Sequence, residues 1–472
     1  MLPADRLERV PSWGGATSAM SWVYRPSTVE GLHDVLALAR TEGLSVGLRG
    51  AGQSYGDAAT NAENLALDTS RMARILDWNP DTGVIRTEPG VTIRQLWQYT
   101  IEDGWWPPVV SGTMQVTLGG AAGMNIHGKN NWKVGAIGEH ILAFELLLPS
   151  GEIIQCSREE RPELFHAAIG GFGMLGCFTS LTLQLKRVHS GLLEIEPIPI
   201  RTLDELFDTF EARLAEADYL VGWMDTFARG AALGRGLVHH ASYLHEGQDR
   251  EPAQTLRVVH QELPATLAGV VPKSIMWALM RPFTNDVGVR LVNLAKYRAS
   301  VLEGQRRYRQ SHAGFAFLLD YVPDWKRAYG PGGLIQYQSF LPAKTARAVY
   351  REILERSHRA GIVPYLGVFK RHRLDPFLMT HAVDGYSLAL DFKVTARNRR
   401  RLWEHAAELT RVVLDGGGRF YFAKDSTLTA PQLERYLAEE RVRRFRALKR
   451  TLDPENVLQT DLWRRLFAAK ET

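Results

Sequence analysis

Arg49-Gly50-Ala51-Gly52-Gln53-Ser54-Tyr55-Gly56-Asp57 is the stretch on which the fold turns. Its glycines at 50, 52 and 56 let the backbone fold tightly and turn successive N–H groups toward one point. Such a nest suits phosphate, and Ser54 adds a hydroxyl donor. Taken alone, an ordinary glycine-rich turn has the same composition. The neighbouring sequence supplies a frame for it. Val29–Glu42 has helical periodicity, Ser45–Leu48 is strand-like, and Leu65–Asp68 and Val84–Thr87 are two further short strands. Thr92–Glu102 reads as a helix, with Thr92 suited to its N-cap.

A second segment, SGTMQVTLGGAAGMNIHGKN at Ser111–Asn130, carries more chemistry. The small residues at 119 to 123 permit close approach of a flat, bulky group, and Thr117 offers a hydroxyl at the neck. His127 is followed by Gly128 and Lys129, a polar cluster after an apolar stretch. An isolated histidine there would read as a hydrogen-bonded core residue. Gly171-Phe172-Gly173-Met174-Leu175-Gly176 fits GxGxxG literally. A dinucleotide-binding turn needs a strand before the glycines and a helix after them. Here helix-like Pro162–Ile169 precedes and strand-like Cys177–Leu185 follows, so a nicotinamide site is rejected. No hydrolase elbow, Walker A loop or HExxH zinc motif is present.

Composition bounds the rest. The chain has 472 residues, with 57 Lys and Arg against 52 Asp and Glu, a net charge of +5. Apolar residues make up 45% and charged residues 23%, the balance of a globular protein. Disordered, collagen-like and disulfide-stapled chains are excluded. No basic stripe alternates with aromatics, so no nucleic acid partner is expected. The mild surplus suits anionic ligands or an anionic membrane surface. Cys156 and Cys177 form no CxxC or Cys/His cluster and read as buried, reduced thiols. His239-His240 reads as a surface or strand pair, and no metal site is expected. The N-terminus has no secretory signal, and no uninterrupted apolar run reaches the roughly 18 residues of a membrane span. A cytoplasmic protein is expected, with contact at the inner face of the cell membrane left open.

From about residue 191 the rhythm changes. Helix-like Leu203–Ala217, Lys344–Ala360 and Asn398–Leu414 interleave with strand-like Tyr219–Phe227, Leu334–Phe340, Val363–Lys370 and Tyr386–Val394. Strands with helices on one face predict an α+β unit. The glycine-rich style returns at Gly416–Ser426, and Arg441–Arg450 reads as a very basic helix. Leu263–Met280 holds one charge, Lys273, and reads either as a core helix with a loop or as an apolar flap.

Together these segments resemble the vanillyl-alcohol-oxidase, or PCMH-type, family of FAD-binding oxidoreductases. RGAGQSYGD at Arg49–Asp57, the Ser111–Asn130 segment and DPENVL at Asp453–Leu458 carry the likeness. HGKN at His127–Asn130, RAYGPGGLIQYQ at Arg327–Gln338 and YFAKDS at Tyr421–Ser426 narrow it to the branch that oxidises decaprenylphosphoryl-β-D-ribose. The resemblance implies a two-lobed α+β fold. An FAD-binding domain would comprise residues 1–190 and a C-terminal return at 415–472, around an antiparallel-sheet substrate domain at 191–414.

The resemblance also implies roles. Arg49, Gly50, Ala51, Gly52, Gln53, Ser54, Tyr55, Gly56 and Asp57, with Gly112, Thr117, Leu118, Gly119 and Gly120, would hold FAD. Met124, Asn125, Ile126 and His127 would line the flavin, with Phe178 and Tyr421 also in contact with the cofactor. His127, Gln338, Lys370 and Lys424 would be catalytic, and Lys129, Gln336, Gln338, Lys370, Ala389 and Lys424 would face the substrate. Related oxidases tether FAD through a histidine in the first loop. Gln53 stands there in this chain, so non-covalent FAD is expected. Mycobacterial members carry a cysteine where this chain has Ala389, so no thiol stands beside the substrate. The implied reaction takes hydride from a secondary alcohol of a polyprenyl-phosphate-linked pentose, ahead of a short-chain-dehydrogenase-type reductase partner. An aldonolactone or alditol oxidase, or a flavin-binding scaffold without turnover, are the alternatives.

Overall fold

A computed structural model describes residues 2–267 and 271–468. The N-terminal helix Val29–Glu42 shows how local sequence sets each element. Thr28 caps it by accepting from the Gly31 N–H, and Leu32, Val35, Leu36 and Ala39 form its buried stripe. Gly43 ends it in the left-handed region at φ 66°. That stripe packs under a four-stranded sheet ordered Leu7–Pro11, Ser18–Tyr24, Leu65–Asp68, Val46–Arg49. The last three strands run parallel. A five-stranded antiparallel sheet follows, with Ile75–Asn79, Val84–Thr87, Cys177–Gln184, Ile141–Leu147 and Ile153–Ser157 in spatial order. The helix expected at Thr92–Glu102 is Ile93–Thr100, capped by Thr92 and Gln95 in a reciprocal box.

The middle of the chain builds an eight-stranded antiparallel sheet. Its order is Tyr308–Ser311, Leu192–Ile200, Gly236–Tyr243, Tyr219–Met224, Leu366–His372, Gly385–Lys393, Leu334–Pro342 and Arg419–Phe420. Successive side chains alternate between its faces. Phe369 and Tyr386 point to one face, stacked at 4.9 Å, and meet Phe207 and Phe210 of helix Leu203–Arg213. Helices Ala343–Ala360 and Arg399–Asp415 pack on the same face. Lys370, Ala389 and Gln338 point to the other face, toward the rest of the chain. The molecule is therefore mixed α+β, consistent with the PCMH-type fold.

The C-terminus returns to the N-terminal lobe. Val457 and Gln459 hydrogen-bond to both sides of Val46, and Asp461 N–H donates to the Thr60 carbonyl. Arg465 pairs with Asp57 at 2.7 Å and Asp425 at 2.9 Å.

The apolar segment Leu263–Met280 is not a core helix. Its residues 268–270 lie outside the described residues. Helix Lys273–Met280 buries only Lys273 and exposes Ile275, Leu279 and Met280. Among the described residues no helix is long and apolar enough to cross a membrane. Cys156 and Cys177 are both buried free thiols.

Candidate active site

Between the first loop and the open face of the eight-stranded sheet lies a cavity of about 410 Å³. From the first loop, Arg49, Gly50, Ala51, Gly52, Gln53, Ser54 and Tyr55 line it. Gly112, Thr117, Gly119, Gly120, Met124, Ile126, His127 and Lys129 line it from the second segment, with Phe178 beside them. Gln336, Gln338, Lys370, Ala389, Tyr421 and Lys424 complete the wall.

Four sequence-nominated residues do not line the cavity. Gly56 packs against the Asp425 backbone, where a β-carbon would sit 1.7 Å from the carbonyl oxygen. Asp57 is held by Arg465. Leu118 belongs to the core. Asn125 ends helix Leu118–Met124 in the left-handed region, and its side chain accepts from the Gly138 N–H at 3.0 Å. These residues support the wall rather than form it.

The first-loop end fits the diphosphate of FAD. Among the described residues no acceptor takes the backbone N–H groups of residues 51–54. Buried donors without partners are costly, and an anion at this nest would satisfy them. Gly52 turns there at φ +64°. A β-carbon on Gly50 would fall 2.1 Å from Thr117 Oγ1, so loop and second segment touch only because residue 50 has no side chain. Arg49 donates to the Ala59 carbonyl at 3.0 Å and supplies a fixed cation. Beyond it, Gly123 and Gly173 leave a narrow slot beside Phe178, suited to a flat ring system.

The other end is polar, basic and crowded. His127 lies against His372, His381, Phe340 and Tyr421, with ring centroids 4.9 to 5.5 Å away. Gln338 Nε2 donates to His127 Nε2 at 3.2 Å, so the imidazole proton sits on Nδ1. Burial, then the nearby Lys370, holds His127 well below its ordinary value and keeps it neutral. Ser387 joins Gln338 at 3.4 Å to His372 at 2.7 Å. Lys424 sits 3.5 Å from the centroid of the Tyr55 ring. Burial lowers its proton affinity, while the Asp391 carboxylate opposes that. Asp391 accepts from Gln336 Nε2 at 2.6 Å. Among the described residues Lys370 has no carboxylate partner, and burial pushes it down to about 8.

Several functional positions escaped the sequence reading. His239 and His240 are a strand pair, one of the two readings, and the His239 side chain lines the cavity together with Trp223 and Lys296. His372, His381 and Asp391 sit behind the wall. Strand alternation carries a signal for Asp391, which pairs with Gln336 one row from the Gln338–Ala389 pair. Nothing in the local sequence marks Lys296. Among the described residues no group of three or more His, Cys, Asp and Glu side chains could hold a metal ion.

Comparison with known proteins agrees with this geometry. The FAD binding domain family matches residues 20–157. The chain is 30% identical to decaprenylphosphoryl-beta-D-ribose oxidase of Mycolicibacterium smegmatis over 467 residues, 97% of each chain. It is 23% identical to a putative D-arabinono-1,4-lactone oxidase of Neurospora crassa, covering 94% of this chain and 83% of that one. It is 28% identical to L-gulonolactone oxidase of Bos taurus over 197 residues, 42% of this chain and 43% of that one. The chain belongs to the vanillyl-alcohol-oxidase, PCMH-type family of FAD-dependent oxidoreductases and is an enzyme that oxidises CH–OH groups.

Proposed function

We propose that the substrate is a polyprenyl-phosphate-linked pentose, whose secondary alcohol is oxidised to a ketone. The coarser activity, FAD-dependent oxidation of a sugar-related alcohol, is common to the named relatives. One observation supports the finer reading. Among the described residues no carboxylate lines the cavity, whereas Arg49, Lys129, Lys296, Lys370 and Lys424 do, beside apolar Val221, Trp223, Leu318 and Leu319. A phosphate-bearing head on an apolar chain matches that wall, while a neutral lactone leaves these basic groups without a counter-charge.

FAD, when bound, supplies the hydride acceptor. The protein orients the alcohol and moves its proton. Lys424 lies beside Asp391, whose carboxylate opposes the lowering that burial imposes, and its ammonium, when protonated, stabilises negative charge developing nearby. Lys370, with no such carboxylate and held near 8, is the group poised to take the hydroxyl proton. Neutral His127, fixed through Nε2 by Gln338, donates from Nδ1. Ala389 puts a small side chain and no thiol at its own position, while Cys177 lines the cavity beside Phe178. Gln53 offers no tether, so FAD is released on denaturation; flavin fluorescence in a denaturing gel band would contradict this.

The proposed division places FAD on residues 1–190 and 415–472 and substrate on 191–414. The proposed location is the cytoplasm at the inner face of the cell membrane, handing the ketone to a short-chain-dehydrogenase-type reductase. Exposed Ile275, Leu279, Phe283, Val287, Leu291 and Leu302, near Arg281, Arg290 and Arg298, support membrane contact.

The deciding test is anaerobic flavin bleaching. A farnesylphosphoryl pentose in detergent should bleach the flavin, and free pentoses, alditols and L-gulono-1,4-lactone should not. Bleaching by the soluble sugars alone would favour the aldonolactone or alditol oxidase reading, which the fungal and bovine relatives support.

A further inference from the structure

FAD accounts for only part of the positive charge in the cavity. Its diphosphate has the first-loop N–H groups and Arg49, and Lys424 has Asp391 nearby. Three further basic groups meet in the cavity from three separate elements. His239 stands on strand Gly236–Tyr243, directly opposite Val221 of the neighbouring strand, and so on the same face. Lys296 projects from helix Asp286–Glu303 and sets its Nζ 4.1 Å from the Trp223 ring centroid. Lys129 reaches in from the loop after His127, with its Nζ 4.2 Å from the Phe315 ring centroid and donating to the Phe315 carbonyl. All three line the cavity, and among the described residues none forms an ion pair with a carboxylate.

We propose that Lys129, Lys296 and His239 form a phosphate subsite, separate from the first loop, that binds the substrate's phosphate. The subsite rests on the reading above only for the identity of that substrate. Three basic side chains with no acid among them repel one another. Lys129 and Lys296 both disfavour a proton on His239, which burial has already taken down to about 4. Burial likewise pushes Lys129 to about 7, whereas Lys296 reaches in from an exposed helix position. A phosphate reverses each of these penalties at once, because it restores the counter-charge that the cavity wall lacks. Val221, Trp223 and Leu319 line the same cavity, so a hydrocarbon chain esterified to that phosphate meets apolar surface. Of the three groups, His239 stands on the sheet that carries Lys370 and Gln338, and it ties the position of the anion to that of the oxidised carbon.

The test uses the FAD-loaded enzyme and titrates farnesyl phosphate and farnesol, reading the perturbation of the flavin spectrum. Lys296→Ala should weaken farnesyl phosphate by about tenfold or more and leave farnesol unchanged. Lys296→Arg should restore much of the binding, and His239→Gln should weaken it in the same direction as Lys296→Ala. Equal loss for both probes, or no loss for farnesyl phosphate, overturns the subsite. So does loss of FAD in Lys296→Ala with phosphate binding retained, since the lysine would then serve the cofactor. Charge-selective loss with no bleaching by any pentose donor keeps the subsite and removes the proposed substrate. Bleaching by the pentose with unchanged KM in Lys296→Ala does the reverse.

Discussion

A β-carbon at residue 50 would collide with the Thr117 hydroxyl, which caps helix Leu118–Met124 by accepting from the Gly120 N–H. Gly50→Ala therefore forces Thr117 off its cap and widens the contact between loop and second segment. The variant should fold but lose FAD on gel filtration, with the ratio of flavin to protein absorbance as the readout. Lys370 makes a different kind of claim. As the proposed proton acceptor, it should be needed for turnover and not for cofactor retention. Lys370→Met should keep bound FAD and slow anaerobic reduction by about 100-fold or more, measured by stopped flow. An unchanged reduction rate would move the proton to another group. The sequence motifs mark Gly50, Thr117, His127 and Lys424 because their neighbours are distinctive. His239 and Lys296 went unmarked because what recruits them is the approach of distant elements, which no local pattern encodes.

At the level of elements, Asp453 explains why DPENVL has the form it does. Its two carboxylate oxygens accept from the Val457 and Leu458 N–H groups at 2.8 Å, and it also pairs with Lys449. Both side chains are almost wholly buried. Asp453→Ala leaves the ammonium without its counter-charge and frees the turn that presents Val457 to Val46. A loss of about 3–5 kcal/mol is expected, checked by chemical unfolding. The same scale shows where pattern reading stops. Strand Leu192–Ile200 contains Pro197 and Pro199, which ordinarily argue against a strand. Here the outer neighbour Tyr308–Ser311 pairs only with Leu192–Ile195, so the prolines fall where one side needs no donor. Leu334–Pro342 and Gly385–Lys393 are legible because apolar residues recur on alternate positions, as Tyr386, Leu388, Leu390 and Phe392 do. The apolar helix Lys273–Met280 shows the limit of composition, which signals burial only when something covers it.

For the molecule as a whole, the basic cavity couples stability to pH. Lys129 and Lys370 are held at about 7 and about 8, against roughly 10.4 in an unfolded chain. Between these values the unfolded chain binds more protons than the folded one, so stability rises with pH. The apoprotein should melt at a higher temperature at pH 9 than at pH 7. Above pH 10 the gain should reverse, because buried Tyr55 and Tyr329 keep their protons when folded and lose them when unfolded. Differential scanning calorimetry of FAD-free protein would show whether the slope has this sign. The overall α+β layout was readable from the alternation of short strands and long helices. Which sheet face would carry the site was not, because that depends on where helices Leu203–Arg213, Ala343–Ala360 and Arg399–Asp415 settle.

The return of the chain to its starting lobe has a consequence during synthesis. Tyr55 N–H donates to the Ala423 carbonyl, Val46 is clasped by residues 457 and 459, and Asp57 is anchored by Arg465. A ribosome making the first loop has all of these partners still to translate. Cofactor capture must therefore wait until nearly the whole polypeptide has emerged. A cell short of flavin would accumulate full-length chains with an unfilled nest, and not half-built ones.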